Sequence, residues 1–131
     1  MKNERRPSHQ IKPKKVWAER LGRWAEIWVA IILILRGYRI LHHRYRSPHD
    51  EIDLITSKNN CIHFIEVKFR SRFDHIDQVL PHKRARQRLL RASQYYMMSR
   101  PDCADRDQEF SVVVVAPSLR LTWFTHPFID L

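Results

Sequence analysis

Trp17, Leu21, Trp24, Trp28, Ile31 and Leu35 follow one another at alternating steps of four and three residues, the period of one helix face. The spacing predicts a helix from about Lys14, with Gly37 as its stop. The stripe assigns three of the four tryptophans to the core rather than to base stacking, and Trp123 stays undecided. Beyond Gly37 the pattern shortens to strand-like runs. Residues 38–46 read as a strand, and Ser47, Pro48, His49 and Asp50 as a turn. Residues 51–56 and 61–70 read as the next two strands, joined by Ser57, Lys58, Asn59 and Asn60. After a loop, Pro81 opens a second helix that runs to about Ser99, and Pro101 closes that neighbourhood. Residues 110–116, with their valine run, read as a strand buried on both faces, and 119–125 as a last one. The order α-β-β-β-α-β-β predicts an α/β domain, a mixed β-sheet flanked by helices.

Length and composition leave that picture standing. A chain of 131 residues, 44% hydrophobic and with two glycines, has the size of one domain and is too apolar for disorder. Residues 1–13 are polar and basic and hold Pro7 and Pro13, so they read as a flexible tail before a single domain over 14–131. The apolar run 27–35 is nine residues long, where a membrane span needs about twenty. It predicts a buried helix and no membrane partner. The basic start leads into no early apolar segment, so no signal peptide is read. Cys61 and Cys103 form neither a zinc pattern nor a disulfide framework, which points to the reducing cytoplasm.

Charge changes the picture more. The formal net charge is +10, and it is concentrated. Residues 1–15 hold six basic residues against Glu4, and residues 83–100 hold six with no acid. Such clustering suits a polyanion, although charge runs also serve solubility. On the second helix Arg84, Arg88 and Arg91 share one face with no acidic partner, which reads as a phosphate-binding ridge.

The candidate chemistry sits in the hairpin EIDLITSKNNCIHFIEVKFR, residues 51–70. Side chains alternate along a strand. Ile65, Val67 and Phe69 therefore point to a core, and Glu66, Lys68 and Arg70 away from it. In the partner strand Ile52 and Leu54 share one face, and Glu51 and Asp53 the other. Pairing the strands sets Asp53 beside Glu66 and Lys68. Two neighbouring carboxylates repel unless one is protonated or a cation lies between them. Oxygen ligands of this kind suit Mg²⁺ or Mn²⁺, and the lysine is placed to meet a phosphate or an attacking water. Charged faces are common on exposed strands, so an isolated Glu66–Lys68 pair would carry little. Glu51 reads best as an exposed strand-end acid. His42 and His43 are adjacent and so face opposite sides; they are assigned to the surface or to nucleic-acid contact.

The motifs EIDLI and FIEVKFR resemble those of the YraN family, an uncharacterised bacterial group within the PD-(D/E)xK, restriction-endonuclease-like superfamily. The resemblance extends over about residues 16–129 and includes GRWAE (22–26), RGYRIL (36–41), RYR (44–46), and Lys83 with Ala92 and Tyr95. It implies a restriction-endonuclease-like fold. It also implies a helix acid beside the hairpin, as in archaeal Holliday junction resolvases, and Glu26 matches that position. Asp50 stands where the family usually has glycine, and Ser111 stands where it often has aspartate in the fourth strand.

Together these readings predict a Mg²⁺- or Mn²⁺-dependent nuclease acting on nucleic acid, DNA of branched or other non-standard structure foremost. Its catalytic set is Glu26, Asp53, Glu66 and Lys68, with Asp53, Glu66 and Glu26 as metal ligands. Arg70, Arg72, Lys83, Arg84, Arg88 and Arg91 bind the backbone, and a homodimer is left open. Two alternatives stand beside it: a non-catalytic DNA-binding or DNA-processing accessory protein that keeps the fold, and an RNA- or ribosome-associated protein.

Overall fold

The structure is a computed structural model that describes residues 13–48, 50–71 and 80–125, with side chains from residue 19 onward. The chain runs α1 (Pro13–Leu35), β1 (Arg39–Arg46), β2 (Glu51–Lys58), β3 (Cys61–Phe69), α2 (Lys83–Met98), a 3-10 turn (Pro101–Cys103), β4 (Asp107–Val115) and β5 (Leu121–Thr125). This is the element order expected from the pattern. The five strands form one sheet in the order β1-β2-β3-β4-β5. Every neighbour pair is antiparallel except β3–β4. A parallel pair needs a long crossover, and α2 lies in the connection between these two strands.

Two apolar clusters sandwich the sheet. Ala25, Val29 and Leu33 of α1 pack on Leu54, Ile65, Val113 and Val115. Leu89, Ala92 and Tyr96 of α2 pack on Ile55, Ile62, Phe64, Phe110, Val112 and Val114. The valine run of β4 therefore feeds both faces alternately, which is why it carries no polar side. The β2–β3 turn is tighter than expected: Asn59 and Asn60 have φ of +52° and +62°. Asparagine tolerates that region, and two such residues make a hairpin turn whose twist matches the strands. β2 consequently extends to Lys58.

The α1 stripe is corrected. Ala25, Val29 and Leu33 are buried, whereas Trp24 is 68% and Leu35 77% exposed, and Leu21 and Ile31 are exposed with them. Residues 27–35 are apolar on all sides, so periodicity alone cannot select the buried face. The small Ala25 lets the helix approach the sheet where a tryptophan would hold it off. Trp28 is half-buried and donates its indole N–H to the Leu119 carbonyl at 2.9 Å. Trp123 is also half-buried, against the α1-side cluster. The side chain of Trp17 and nearly all of the basic tail lie outside the described residues, as does His49. Among the described residues no helix is long and apolar enough to cross a membrane.

Candidate active site

The β2–β3 ladder runs in regular register from Lys58↔Cys61 to Leu54↔Ile65. One step further stand Asp53 and Glu66, and there the hairpin changes character. The Asp53 side chain turns to the neighbouring strand: its Oδ2 accepts the Val67 N–H at 2.8 Å. β2 also breaks alternation here, because Ile52 packs in the α2-side cluster with Ile55 while Leu54 packs on the α1 side. Ile52 and Leu54 thus do not share a face, contrary to the alternation read from the sequence. Past the end of the ladder a gap opens, and Glu51, Asp53 and Glu66 line it together with Phe64 and Leu89.

Electrostatics in this gap are unfavourable without a counter-charge. Burial pushes the Asp53 carboxyl up to about 7; Glu26, Glu66 and Glu51 add to the rise, and the Val67 N–H opposes it. Lys68 Nζ lies 3.3 Å from Glu66 Oε1. The other oxygen, Glu66 Oε2, is buried without a hydrogen-bond partner. A buried acceptor with nothing to accept is costly, and a hard divalent cation is the partner such an oxygen fits. The residues present therefore suit Mg²⁺ or Mn²⁺: two carboxylates in one gap, one with an unused oxygen. Glu51 lies half-buried at the rim, its Oε2 3.5 Å from Arg46 Nη2.

Glu26 reaches the site from α1 and is 5% exposed. Its Oε2 is 3.2 Å from Arg44 Nη2, and its Oε1 accepts from Arg44 Nε at 3.3 Å. His43 Nε2 lies 3.4 Å from the same Oε1. Two consecutive strand residues converge on one carboxylate because Arg44 has φ +57°, a left-handed conformation that breaks the alternation of β1. The strand is already irregular, with a register shift between Ile40 and His42. His43 is exposed, in keeping with its surface assignment, while its ring also reaches Glu26; Arg44 has no sequence pointer to this role beyond the RYR match. His42 does face the other way, with its ring edge-on to Tyr45 and Tyr96. Glu26 adds negative potential at Asp53, but both of its oxygens are already engaged.

The basic residues surround this centre unevenly. Lys83, Arg84, Arg88 and Arg91 are all exposed on α2, whose Leu89 lines the carboxylate gap. Arg70 is exposed just past β3, its Nη1 donating to the Phe69 carbonyl at 2.8 Å. Arg72 lies outside the described residues. Ser111 is buried in β4 in register with Ile65, on the strand beside Glu66.

Comparison with known sequences gives a consistent result. The model of the uncharacterised protein family UPF0102 matches residues 25–115, a segment that contains Glu26, the whole hairpin and α2. A UPF0102 protein of Bradyrhizobium sp. (strain ORS 278) is 40% identical over 112 residues, covering 86% of this chain and 79% of its own length. One of Agrobacterium fabrum (strain C58) is 42% identical over 105 residues, covering 79% and 84%.

Proposed function

The chain belongs to the UPF0102 (YraN) family, and from that premise we propose that it is a metal-dependent nuclease that hydrolyses nucleic-acid phosphodiesters. The observation that carries this reading is the buried, unpartnered Oε2 of Glu66 beside the raised Asp53 carboxyl. Asp53 and Glu66 would hold a Mg²⁺ or Mn²⁺ ion. When bound, such an ion polarises a phosphoryl oxygen and makes water a competent nucleophile at neutral pH.

The remaining work falls to this chain's own groups. Lys68 is held 3.3 Å from Glu66, where its ammonium can donate to the phosphoryl oxygens as negative charge develops on them. Glu26 acts from the rear. Paired with Arg44 and His43, it fixes β1 against α1 and adds negative potential at Asp53, and any role at the metal runs through water. Arg84, Arg88 and Arg91 hold the phosphate backbone without reading bases. Similarity of the motifs to those of Holliday junction resolvases favours branched DNA as substrate.

A cleavage panel of four-way junctions, flaps, single strands and duplexes, with Mg²⁺ or Mn²⁺ and with chelator, tests this. Metal-dependent cutting of a branched substrate supports it. Binding without cutting on every substrate replaces it with the accessory-protein reading.

A further inference from the structure

We propose that Cys61, His63 and Glu109 form a second metal site, selective for zinc, on the opposite face of the sheet from the Asp53–Glu66 gap. The backbone brings these donors together. β3 and β4 run parallel with Cys61 in register with Asp107 and His63 with Glu109. Residues two apart in a strand share a face, so a thiol, an imidazole and two carboxylates stand in a square on the side that carries Ile65. Sγ of Cys61, a ring nitrogen of His63 and a carboxylate oxygen of Glu109 all lie within 4.8 Å of one another. His63 Nδ1 is 3.2 Å from Glu109 Oε2. Zinc bonds of about 2.0–2.3 Å in a tetrahedron set donors roughly 3.3–3.8 Å apart, so small side-chain rotations would close the group around an ion.

The surroundings favour an ion there. All three residues are half-buried. The His63 ring is oriented by an edge-on contact with Tyr38 at 5.2 Å. Metal-binding histidines typically use outer contacts to fix the ring. Lys58 lines the same pocket as the three donors, but its ammonium is drawn to the Arg36 carbonyl at 2.8 Å and lies over the Tyr38 ring. Burial, Glu109 and Asp107 push the Cys61 thiol up to about 11. A divalent cation reverses that balance, with the thiol proton released to solvent as the sulfur–metal bond forms.

Sulfur, nitrogen and oxygen donors select zinc over magnesium, so the two sites differ in chemistry as well as in face. Asp107, lining the same pocket, or water would complete the tetrahedron. The ion would clasp the start of β3 to the start of β4, the sheet's parallel pairing, whose strands are joined through the α2 connection. Its role is thus structural, apart from any hydrolysis at Asp53 and Glu66.

Cobalt(II) titration of the full chain, read by the thiolate-to-cobalt charge-transfer band, tests the assignment. One equivalent should develop the band in wild type and in Asp53→Asn, and zinc should bleach it. Cys61→Ser should abolish it, and Glu109→Gln should weaken binding at least tenfold. No band in wild type, a band that survives Cys61→Ser, or one lost in Asp53→Asn would overturn the proposal. A second measurement needs no variant: zinc should slow alkylation of Cys61 in the native protein, and an unchanged alkylation rate would also overturn it.

Discussion

Asp53 stands in for a backbone carbonyl: its Oδ2 accepts the Val67 N–H at 2.8 Å at the point where the β2–β3 register reaches its end. The same carboxylate is thus both a strand clamp and a candidate metal ligand. The two roles separate by substitution. Asp53→Asn keeps an acceptor for Val67, whereas Asp53→Ala leaves that N–H without one. In metal-free protein at pH 8, Asp53→Ala should be less stable than Asp53→Asn by about 1–3 kcal/mol, the usual cost of an unsatisfied part-buried donor. Urea denaturation measures the difference. Both variants should lose the Mn²⁺ binding of wild type in calorimetry.

Stability should also carry the signature of the Asp53 carboxyl, which is raised to about 7 in the fold from about 3.9 in an unfolded chain. Between those values the folded state holds the extra proton. The contribution is fully present below about pH 4 and is lost as pH rises through about 7. His63 works in the opposite sense, since burial lowers its pKa and its contribution grows as pH rises toward about 6.5. Subtracting the Asp53→Asn curve from that of wild type isolates the first group. The difference should fall with pH in metal-free protein and flatten when Mn²⁺ is present.

The Glu26–Arg44 pair should be structural in effect. Arg44→Ala strands a carboxylate that is 7% exposed, but Arg44 itself is 38% exposed, so solvent screens the pair. The loss should be about 1–2 kcal/mol, below the 3–5 typical of fully buried pairs. Thermal or urea unfolding reads it directly.

Much of this arrangement was legible because the hairpin carries its own signals. Asp53, Glu66 and Lys68 interrupt apolar strands at alternate positions, and alternation placed the two carboxylates together. Glu26 enters the candidate set only through the family motif. What could not be read depended on backbone departures from regular geometry. Arg44 at φ +57° carries no sequence mark, since a glycine or asparagine would be expected there, and with it two consecutive β1 side chains reach Glu26. The break in alternation around Asp53 likewise leaves Ile52 and Leu54 on opposite faces. On α1, both the Trp24–Trp28 stripe and the Ala25–Val29–Leu33 face satisfy a helical period. The small side chains won because close helix–sheet approach favours them.

The α2 arginines should govern affinity through charge alone. Neutralising Arg84, Arg88 and Arg91 together should lower the slope of log affinity against log salt by about 2–3, at roughly 0.9 per phosphate contact. DNA-binding titrations over a range of salt concentrations check this; an unchanged slope moves the binding surface elsewhere.

The most direct test is single-turnover cleavage of a branched DNA in Mn²⁺ by wild type, Glu66→Gln and Lys68→Ala side by side. Glu66→Gln removes the charge beside Asp53 and should abolish both metal binding and cutting. Lys68→Ala leaves Asp53 and Glu66 in place, so metal and DNA binding should persist while the rate falls about 10²–10³-fold, as expected for loss of a donor to developing charge. Wild type that cuts no substrate, or variants that cut as fast as wild type, would contradict the assignment of this hairpin as a hydrolytic centre.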